Sequence, residues 1–282
     1  MKKIIGVLGL FLMASYASAQ VEVPALSPKA EVEQTIGLSE VEIEYSRPSV
    51  RDRAIFGSLI PHGELWRLGA NKNTTITLST DATIAGKSVE SGTYALYARP
   101  EKKKWEIYLY SESENWGVPD EWDDSKVIAT FQTNITEVDH VESLTLGFEN
   151  LTTSTCDFSI AWENSKVVLP MEFPTEKLTE ASILETMEGD TISERDYYGA
   201  ASYYLNAGKE LESALNYIKM AVKMRGEEAF WYLRKQALIE HKLGMKENAI
   251  KTAKRSLESA KKAENSRYIQ MNQSSIDKWE QE

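Results

Sequence analysis

The first part of the chain alternates apolar and polar residues with a period of two. Runs of this kind recur from about Val21 to Phe173 at a spacing of roughly ten residues, with turn residues between them. Such alternation predicts strands that bury one face and expose the other. We predict strands at 41–45, 75–79, 94–97, 105–110, 127–132, 143–148, 155–162 and 167–169, with turns at 85–87, 91–93, 101–104 and 163–166. Many short strands of this type predict an antiparallel β sandwich or barrel.

From about Thr175 the apolar residues follow the period of a helix instead. One helical face contains apolar residues spaced at i, i+3, i+4, i+7, i+10 and i+11, namely Leu211, Ala214, Leu215, Ile218, Ala221 and Val222. Ser193 followed by Asp196 predicts a capping box at the start of a preceding helix. Gly208 and Gly244 are placed as helix ends.

The helical part resembles tetratricopeptide repeats, which are paired helices of about 34 residues. Gly208 and Gly244 lie 36 residues apart, although no proline ends either unit. Two repeats are fewer than such arrays usually need, so we expect this part to pack on the sandwich or to end in a capping helix at 264–280. A helical hairpin pair without a binding role is the alternative. We therefore predict a β-sandwich domain at 20–173, a linker with a short helix at 174–192, and an all-α tetratricopeptide-like region at 193–282.

The N-terminus has the features of a secretory signal peptide. Lys2 and Lys3 precede an apolar stretch at 4–16, and the small residues 17–19 form a cleavage site. The apolar stretch is short for a membrane span, although an uncleaved anchor is the alternative. We expect removal of residues 1–19 and export to the periplasm or the extracellular space. No later stretch predicts a membrane span in the mature chain.

The net charge, the single cysteine and the few histidines limit which partners and which chemistry we expect. The formal net charge is −11, which argues against nucleic acid as a partner. Cys156 is the only cysteine, so no internal disulfide can form, and its alternating surroundings predict a buried apolar role instead of a nucleophile. With three histidines and no motif for zinc, phosphate or dinucleotide binding, we predict no cofactor and no metal site.

An unusual concentration of arginine occurs at 45–71. Arginine keeps its charge and presents a fork of donors, so these side chains need anions nearby. The candidate ligand-binding residues are Arg47, Arg51, Arg53, Arg67 and Asn71. Two interpretations stay open: a structural clamp on Glu42, Glu44, Asp52 and Glu64, or a site for a carboxylate, phosphate or sulfate.

The same segment contains a weak catalytic candidate. His62 could act as an acid or base with Glu64 or Asp52, as in a hydrolase of cell-envelope or carbohydrate substrates. Pro48 ends the preceding strand, and the long connection after it has its own apolar residues, so we expect it to be ordered. Farther on, the acidic loop 116–124 could be solvated, bind calcium, or stack Trp116 and Trp122 on a sugar.

Several uncommon residues recur in one order and spacing that resembles a family of uncharacterised secreted bacterial proteins. They comprise the stretches 45–49, 53–57, 66–67, 69–71, 92–94 and 116–117, together with Pro61. The resemblance covers about Ser27 to Glu172 and leaves out the tail beyond Phe173. It implies a β-rich secreted domain and brings no activity, cofactor or catalytic residue.

These observations predict an exported binding or scaffold protein with an Arg/Asn-lined site for a small anionic ligand. A hydrolase is one alternative. A protein-interaction module, acting through the helical tail, is another.

Overall fold

The computed structural model describes residues 23–226 and 228–282, and the predicted signal peptide lies outside them. The chain divides into two compact units, one ending at Thr175 and the other comprising Glu176–Glu282. The first contains antiparallel sheets and the second contains helices, so the predicted fold class is confirmed. No helix in these described ranges is long and apolar enough to cross a membrane.

The β domain contains two antiparallel sheets. In the described residues its strands are β1 (Lys29–Ile36), β2 (Ser39–Ser46), β3 (Thr74–Leu78), β4 (Ala82–Ile84), β5 (Lys87–Val89), β6 (Gly92–Pro100), β7 (Lys104–Tyr110), β8 (Val127–Asn134), β9 (Thr136–Glu149) and β10 (Thr155–Glu172). A six-stranded sheet has the order β1-β2-β3-β6-β7-β8, and a four-stranded sheet has the order β5-β4-β10-β9.

One hydrophobic core joins the inner faces of both sheets. Ile43 and Ile107 contribute from the six-stranded sheet, while Leu146 and Phe158 contribute from the four-stranded sheet. Every second residue of β2, β3 and β7 is buried in the way the alternation predicts. The two sheets therefore pack face to face as a sandwich.

The predicted turn at 163–166 is wrong. β10 runs unbroken through this stretch, and its pairing with β9 changes register on both sides of Glu163. Glu163 has a φ of +55°, a conformation that occurs in turns and also in β-bulges. A bulge and a turn use similar polar residues, so the local sequence does not distinguish them.

The long connection between β2 and β3 is ordered, as predicted. Ile55, Ile60, Trp66 and Leu68 are buried in the core, although this stretch forms only isolated bridges with other strands. These apolar anchors offset the entropy of ordering a long loop. The connection is therefore part of the core and can hold polar side chains in fixed positions.

The second unit contains six helices within the described part of the chain. They are α1 (Thr175–Glu188), α2 (Glu194–Ala207), α3 (Leu211–Arg225), α4 (Phe230–Lys242), α5 (Lys246–Lys262) and α6 (Ser266–Gln281). The predicted capping box of Ser193 and Asp196 is present, and Gly208 ends α2 with a φ of +70°. From α2 to α6 each helix packs on the next, and α4 also contacts α2 and α6.

Tryptophans in this domain provide a test of the core. Trp162 is 1% exposed and stacks on Trp66 at 5.7 Å, whereas Trp116 is 78% exposed. We expect Trp162→Ala to lower the free energy of unfolding by about 3–5 kcal/mol, because it leaves a cavity. Trp116→Ala is the matched control and should change it by less than about 0.5 kcal/mol. Urea denaturation measures both, and equal losses would contradict this description of the core.

Candidate functional site

Three residues of the Arg-rich segment hold the main chain of residues 26–28, which precedes β1. Arg51 Nη2 donates to the first of these carbonyls. Asn71 Nδ2 donates to the second at 3.2 Å, and the Arg47 main-chain N–H donates to the third at 2.9 Å. These bonds fix the start of the β domain against the long connection.

The side chains of Arg47 and Arg53 also donate to neutral oxygens. Arg47 Nε donates to Leu144 O at 2.9 Å, and its Nη2 donates to Thr145 Oγ1 at 2.8 Å. Arg53 donates to two carbonyls of its own loop at 2.9 and 2.6 Å. Arg47 therefore ties the long connection to β9, and Arg53 stiffens the turn that follows.

The carboxylates expected to neutralise these arginines do not do so. Among the described residues, no guanidinium of the segment bonds to Glu42, Glu44, Asp52 or Glu64. Glu44 pairs instead with Lys29 across β1 and β2. Main-chain carbonyls take the place of the expected carboxylates, and no pattern of side chains could have indicated this.

One group of acidic side chains in the described chain has the spacing of a metal site. Oxygen atoms of Glu31, Glu42 and Glu44 lie within 4.8 Å of one another on β1 and β2. Lys29 already supplies a positive charge to Glu44. The group is exposed or half-buried, which is common for acidic residues that bind no ion.

Arg67 differs from the other three arginines. Trp66 pairs with Ala98 through two main-chain hydrogen bonds of 2.7 and 2.8 Å, so Arg67 lies beside Tyr97 of β6. Leu65 packs on the cluster that contains Tyr97, and alternation places Arg67 on the same face. Within the described residues its guanidinium makes no hydrogen bond or ion pair, and its Nε is buried.

The face beside Arg67 is rich in tyrosine. We call it the tyrosine face and define it by Tyr97, Tyr108 and Tyr110 on the outer side of the six-stranded sheet, with Trp122 from loop 111–126. Trp122 stacks on Tyr110 at 4.6 Å and meets Tyr97 edge-on at 5.4 Å. Loop 111–126 therefore covers the tyrosines with an aromatic plug.

Hydrogen bonds fasten loop 111–126 to this face. Asn73, which precedes β3, donates its N–H to Asn115 O at 3.2 Å and its Nδ2 to Ser113 O at 3.0 Å. Asn115 Nδ2 donates to the Tyr97 hydroxyl at 3.4 Å, and that hydroxyl donates to Gly117 O at 3.3 Å. These four bonds join uncharged groups, and a salt bridge of 3.0 Å between Lys72 and Glu114 adds a charged tie to the same loop.

Within the described residues, three buried polar atoms on or beside this face have no hydrogen-bond partner: Arg67 Nε, Asn73 Oδ1 and the Tyr110 hydroxyl. The pairing of Thr74 with Leu96 places the preceding Asn73 beside Tyr97, and the bridge between Trp66 and Ala98 places Arg67 beside the same residue. Leaving such an atom unpaired costs about 1–3 kcal/mol. Buried groups of this kind are normally satisfied by ordered water or a ligand.

Tyr108 belongs to a charged network at the edge of the face. Its hydroxyl donates to Glu106 Oε2 at 2.7 Å and accepts from Arg99 Nη1 at 2.9 Å. Burial and the hydrogen bond to Glu106 raise the pKa of Tyr108 to about 12. The hydrogen bond from Tyr108 contributes most to lowering the pKa of Glu106.

His62 does not form the predicted acid and base pair. It is half-buried against Gly57, where a Cβ atom would lie 2.9 Å from its Nε2. Its Nδ1 is buried without a partner, and in the described chain it has no hydrogen bond to Glu64 or Asp52. The arrangement that a general base needs is therefore missing around His62.

The remaining candidates have structural surroundings. Cys156 is 2% exposed, and burial raises the pKa of its thiol to about 11, so the thiolate is disfavoured. This confirms the buried role predicted for it. Trp122 plugs the tyrosine face, whereas Trp116 projects into solvent with 78% exposure.

Sequence reasoning missed the tyrosine face. Tyr108 and Tyr110 alternate within a predicted strand and Tyr97 lies in its neighbour, so the pattern did place three tyrosines on outer faces. Outward-facing residues of a sheet are usually solvated, however, and only the fold shows that loop 111–126 covers them. Asn73 gave no local signal.

The raised pKa of Tyr108 predicts that the folded protein loses stability in alkaline solution. Between about pH 10 and 12 the unfolded chain ionises this phenol while the folded protein keeps it protonated, so the free energy of unfolding falls as the pH rises. Tyr108→Phe should reduce that fall between about pH 9 and 11. Urea denaturation at both pH values measures the free energy of unfolding of each protein. An equal fall with pH in the variant and the wild-type protein would show that Tyr108 ionises normally in the folded protein.

Comparison with known proteins places the β domain in a family. A family model described as protein of unknown function (DUF2911) matches residues 27–171, which include the held segment 26–28 in part and the whole tyrosine face. No curated protein and no solved structure matches the chain. The helical unit lies outside the match. The match covers more than half of the sequence, and the chain therefore belongs to the DUF2911 family of proteins of unknown function.

Proposed function

We propose that this protein is an exported binding protein whose β domain holds a small anion at Arg67, on the tyrosine face. The observation that supports this is the guanidinium of Arg67, which has no acceptor in the described residues although the chain has a net charge of −11. The other three arginines use their side chains on the protein's own oxygens. They and Asn71 serve the fold in this proposal.

The chemistry of Arg67 suits a carboxylate, phosphate or sulfate. A guanidinium offers parallel N–H donors that match two oxygens of such groups. Burial of Nε without a partner is unfavourable, so a ligand that accepts its hydrogen bond gains affinity. Arg67 also lies beside Tyr97, a member of a preformed aromatic cluster.

Export is the second part of the proposal. It is supported by the charged, apolar and small-residue pattern of residues 1–19. A hydrolase receives less support, because no carboxylate in the described part of the chain pairs with His62. Binding without chemistry is therefore the function we favour.

Arg67 can be tested directly with small anions. We expect phosphate, sulfate or a simple carboxylate to raise the melting temperature of the wild-type protein in a thermal-shift assay. Arg67→Gln should weaken binding by at least about tenfold, because a hydrogen bond to a charged group is lost. Isothermal titration calorimetry measures the affinity.

Arg47→Gln is the matched control for this variant. It removes the ties to Leu144 and Thr145, so it should lower the free energy of unfolding by about 1–2 kcal/mol and keep anion binding. Loss of binding in Arg47→Gln with full binding in Arg67→Gln would place the ligand elsewhere. An absence of any anion effect on the wild-type protein would refute the proposed site.

Protein interaction through the helical unit is a second candidate. Its supporting observation is the consecutive pair Arg234 and Lys235 on α4, neither of which has a carboxylate within 4.0 Å in the described chain. Arg234 bonds to neutral atoms of α6, including Asn272 Oδ1 at 3.1 Å, and Lys235 Nζ lies 5.7 Å from the Tyr198 ring. Burial, followed by the charge of Arg234, lowers the pKa of Lys235.

A polyglutamate peptide provides a probe for this helical surface. We expect it to bind the full chain in a salt-dependent manner, and Lys235→Ala should weaken that binding severalfold. Lys251→Ala removes an exposed lysine of α5 and is the control. Equal affinity of both variants and the wild-type protein would exclude Lys235 as a contact.

A further inference from the structure

We propose that the anion held at Arg67 is a polyhydroxylated acid, of the class of uronic and aldonic acids. This inference rests on the proposed function, in which Arg67 binds the acid group. It adds that hydroxyl groups of the same ligand bind to Asn73 Oδ1 and to the Tyr110 hydroxyl, the two other buried atoms on or beside the tyrosine face that have no partner in the described residues.

The unpartnered atoms differ in what they require. Arg67 Nε can only donate a hydrogen bond, so its partner must be an acceptor. Asn73 Oδ1 can only accept one, so its partner must be a donor. The orientation of the Asn73 amide is fixed, because its Nδ2 donates to Ser113 O at 3.0 Å. A simple acid satisfies Arg67 and leaves Asn73 unpaired.

Both atoms belong to residues that flank one side chain. The pairing of Trp66 with Ala98 and the register of β3 with β6 place Arg67 and Asn73 beside Tyr97. The ring of Tyr110 lies 5.7 Å from that of Tyr97, between centroids. Tyr97 is therefore the common neighbour of all three residues.

A hydroxyl is the donor that fits this place best. An ammonium group would also donate to Asn73, but the nearby guanidinium of Arg67 would repel it. The Tyr110 hydroxyl both donates and accepts, which matches another hydroxyl equally well. Neutral hydroxyls beside one acid group thus meet all three requirements without a second charge.

The order of exposure suggests how such a ligand enters. Arg67 is partly exposed, whereas Asn73 is 3% exposed beneath loop 111–126. The acid group meets Arg67 first, and the hydroxyls reach Asn73 only when the loop shifts. The bond from the Tyr97 hydroxyl to Gly117 O is an uncharged tie of the loop that a ligand hydroxyl can replace, while the bond from Asn73 to Ser113 O is kept.

Ordered water is the competing explanation. A water molecule can accept from Arg67 and donate to Asn73, which would satisfy both atoms without a ligand. Water and ligand differ in a measurable way: only a hydroxylated ligand gains affinity from groups beyond its acid. Probes that differ only in their hydroxyls therefore distinguish the two.

The experiment titrates the full-length protein with matched probes by isothermal titration calorimetry. Glucuronate and cyclohexanecarboxylate are cyclic acids with and without hydroxyls, and gluconate and hexanoate are their open-chain equivalents. Glucose has the hydroxyls without the acid. We expect at least one hydroxylated acid to bind at least about tenfold more tightly than its matched acid, with glucose bound weakly, because a buried acceptor gains its partner. Arg67→Gln should abolish that preference, and Arg47→Gln should keep it.

Each other result has a definite meaning. If simple and hydroxylated acids bind equally and both depend on Arg67, the hydroxy-acid class is wrong and the anion site stands. If glucose binds as well as glucuronate and Arg67→Gln has no effect, Arg67 does not hold the acid. If neither these acids nor phosphate or sulfate bind, both the site and the ligand class are refuted.

Discussion

The pairing of Trp66 with Ala98 is the interaction on which the arrangement of the β domain depends. Its two hydrogen bonds attach the long connection to β6 at Ala98, before the chain reaches the first residue of β3. Trp66 then points into the core, where it stacks on Trp162, and the alternation of a strand turns Arg67 to the outer face. One short pairing therefore places an aromatic ring and a charged group on opposite sides of the same sheet.

The arginines of the long connection have different roles because their N–H groups meet different acceptors. Arg47 and Arg51, with Asn71, hold carbonyls that carry no charge, so these bonds add stiffness without burying an ion pair. Arg67 finds no such acceptor in the described residues. A guanidinium without an acceptor of its own can bind two oxygens of an anion, which is the basis of the proposed site.

The tyrosine face combines stability with unmet hydrogen bonding. Trp122 and the tyrosines give loop 111–126 a hydrophobic attachment, and Asn73 adds two hydrogen bonds to its main chain. The same burial leaves Asn73 Oδ1 and the Tyr110 hydroxyl without partners among the residues that the structure describes. Ligand hydroxyls can replace uncharged hydrogen bonds of this loop, which connects the packing of this face with the binding proposed for it.

The sequence by itself determined the class of each unit, because alternation and helical periodicity are local properties. It placed the sheet domain before the helices, the capping box at Ser193 and the buried state of Cys156. It also directed attention to Arg67. Only the tertiary structure decided which arginine stays unpaired, because the acceptors of the other three include main-chain carbonyls that every residue has. The continuity of β10 through Glu163 and the joining of Asn73, Tyr97 and Tyr110 depend likewise on strand register, which contacts distant in the sequence determine.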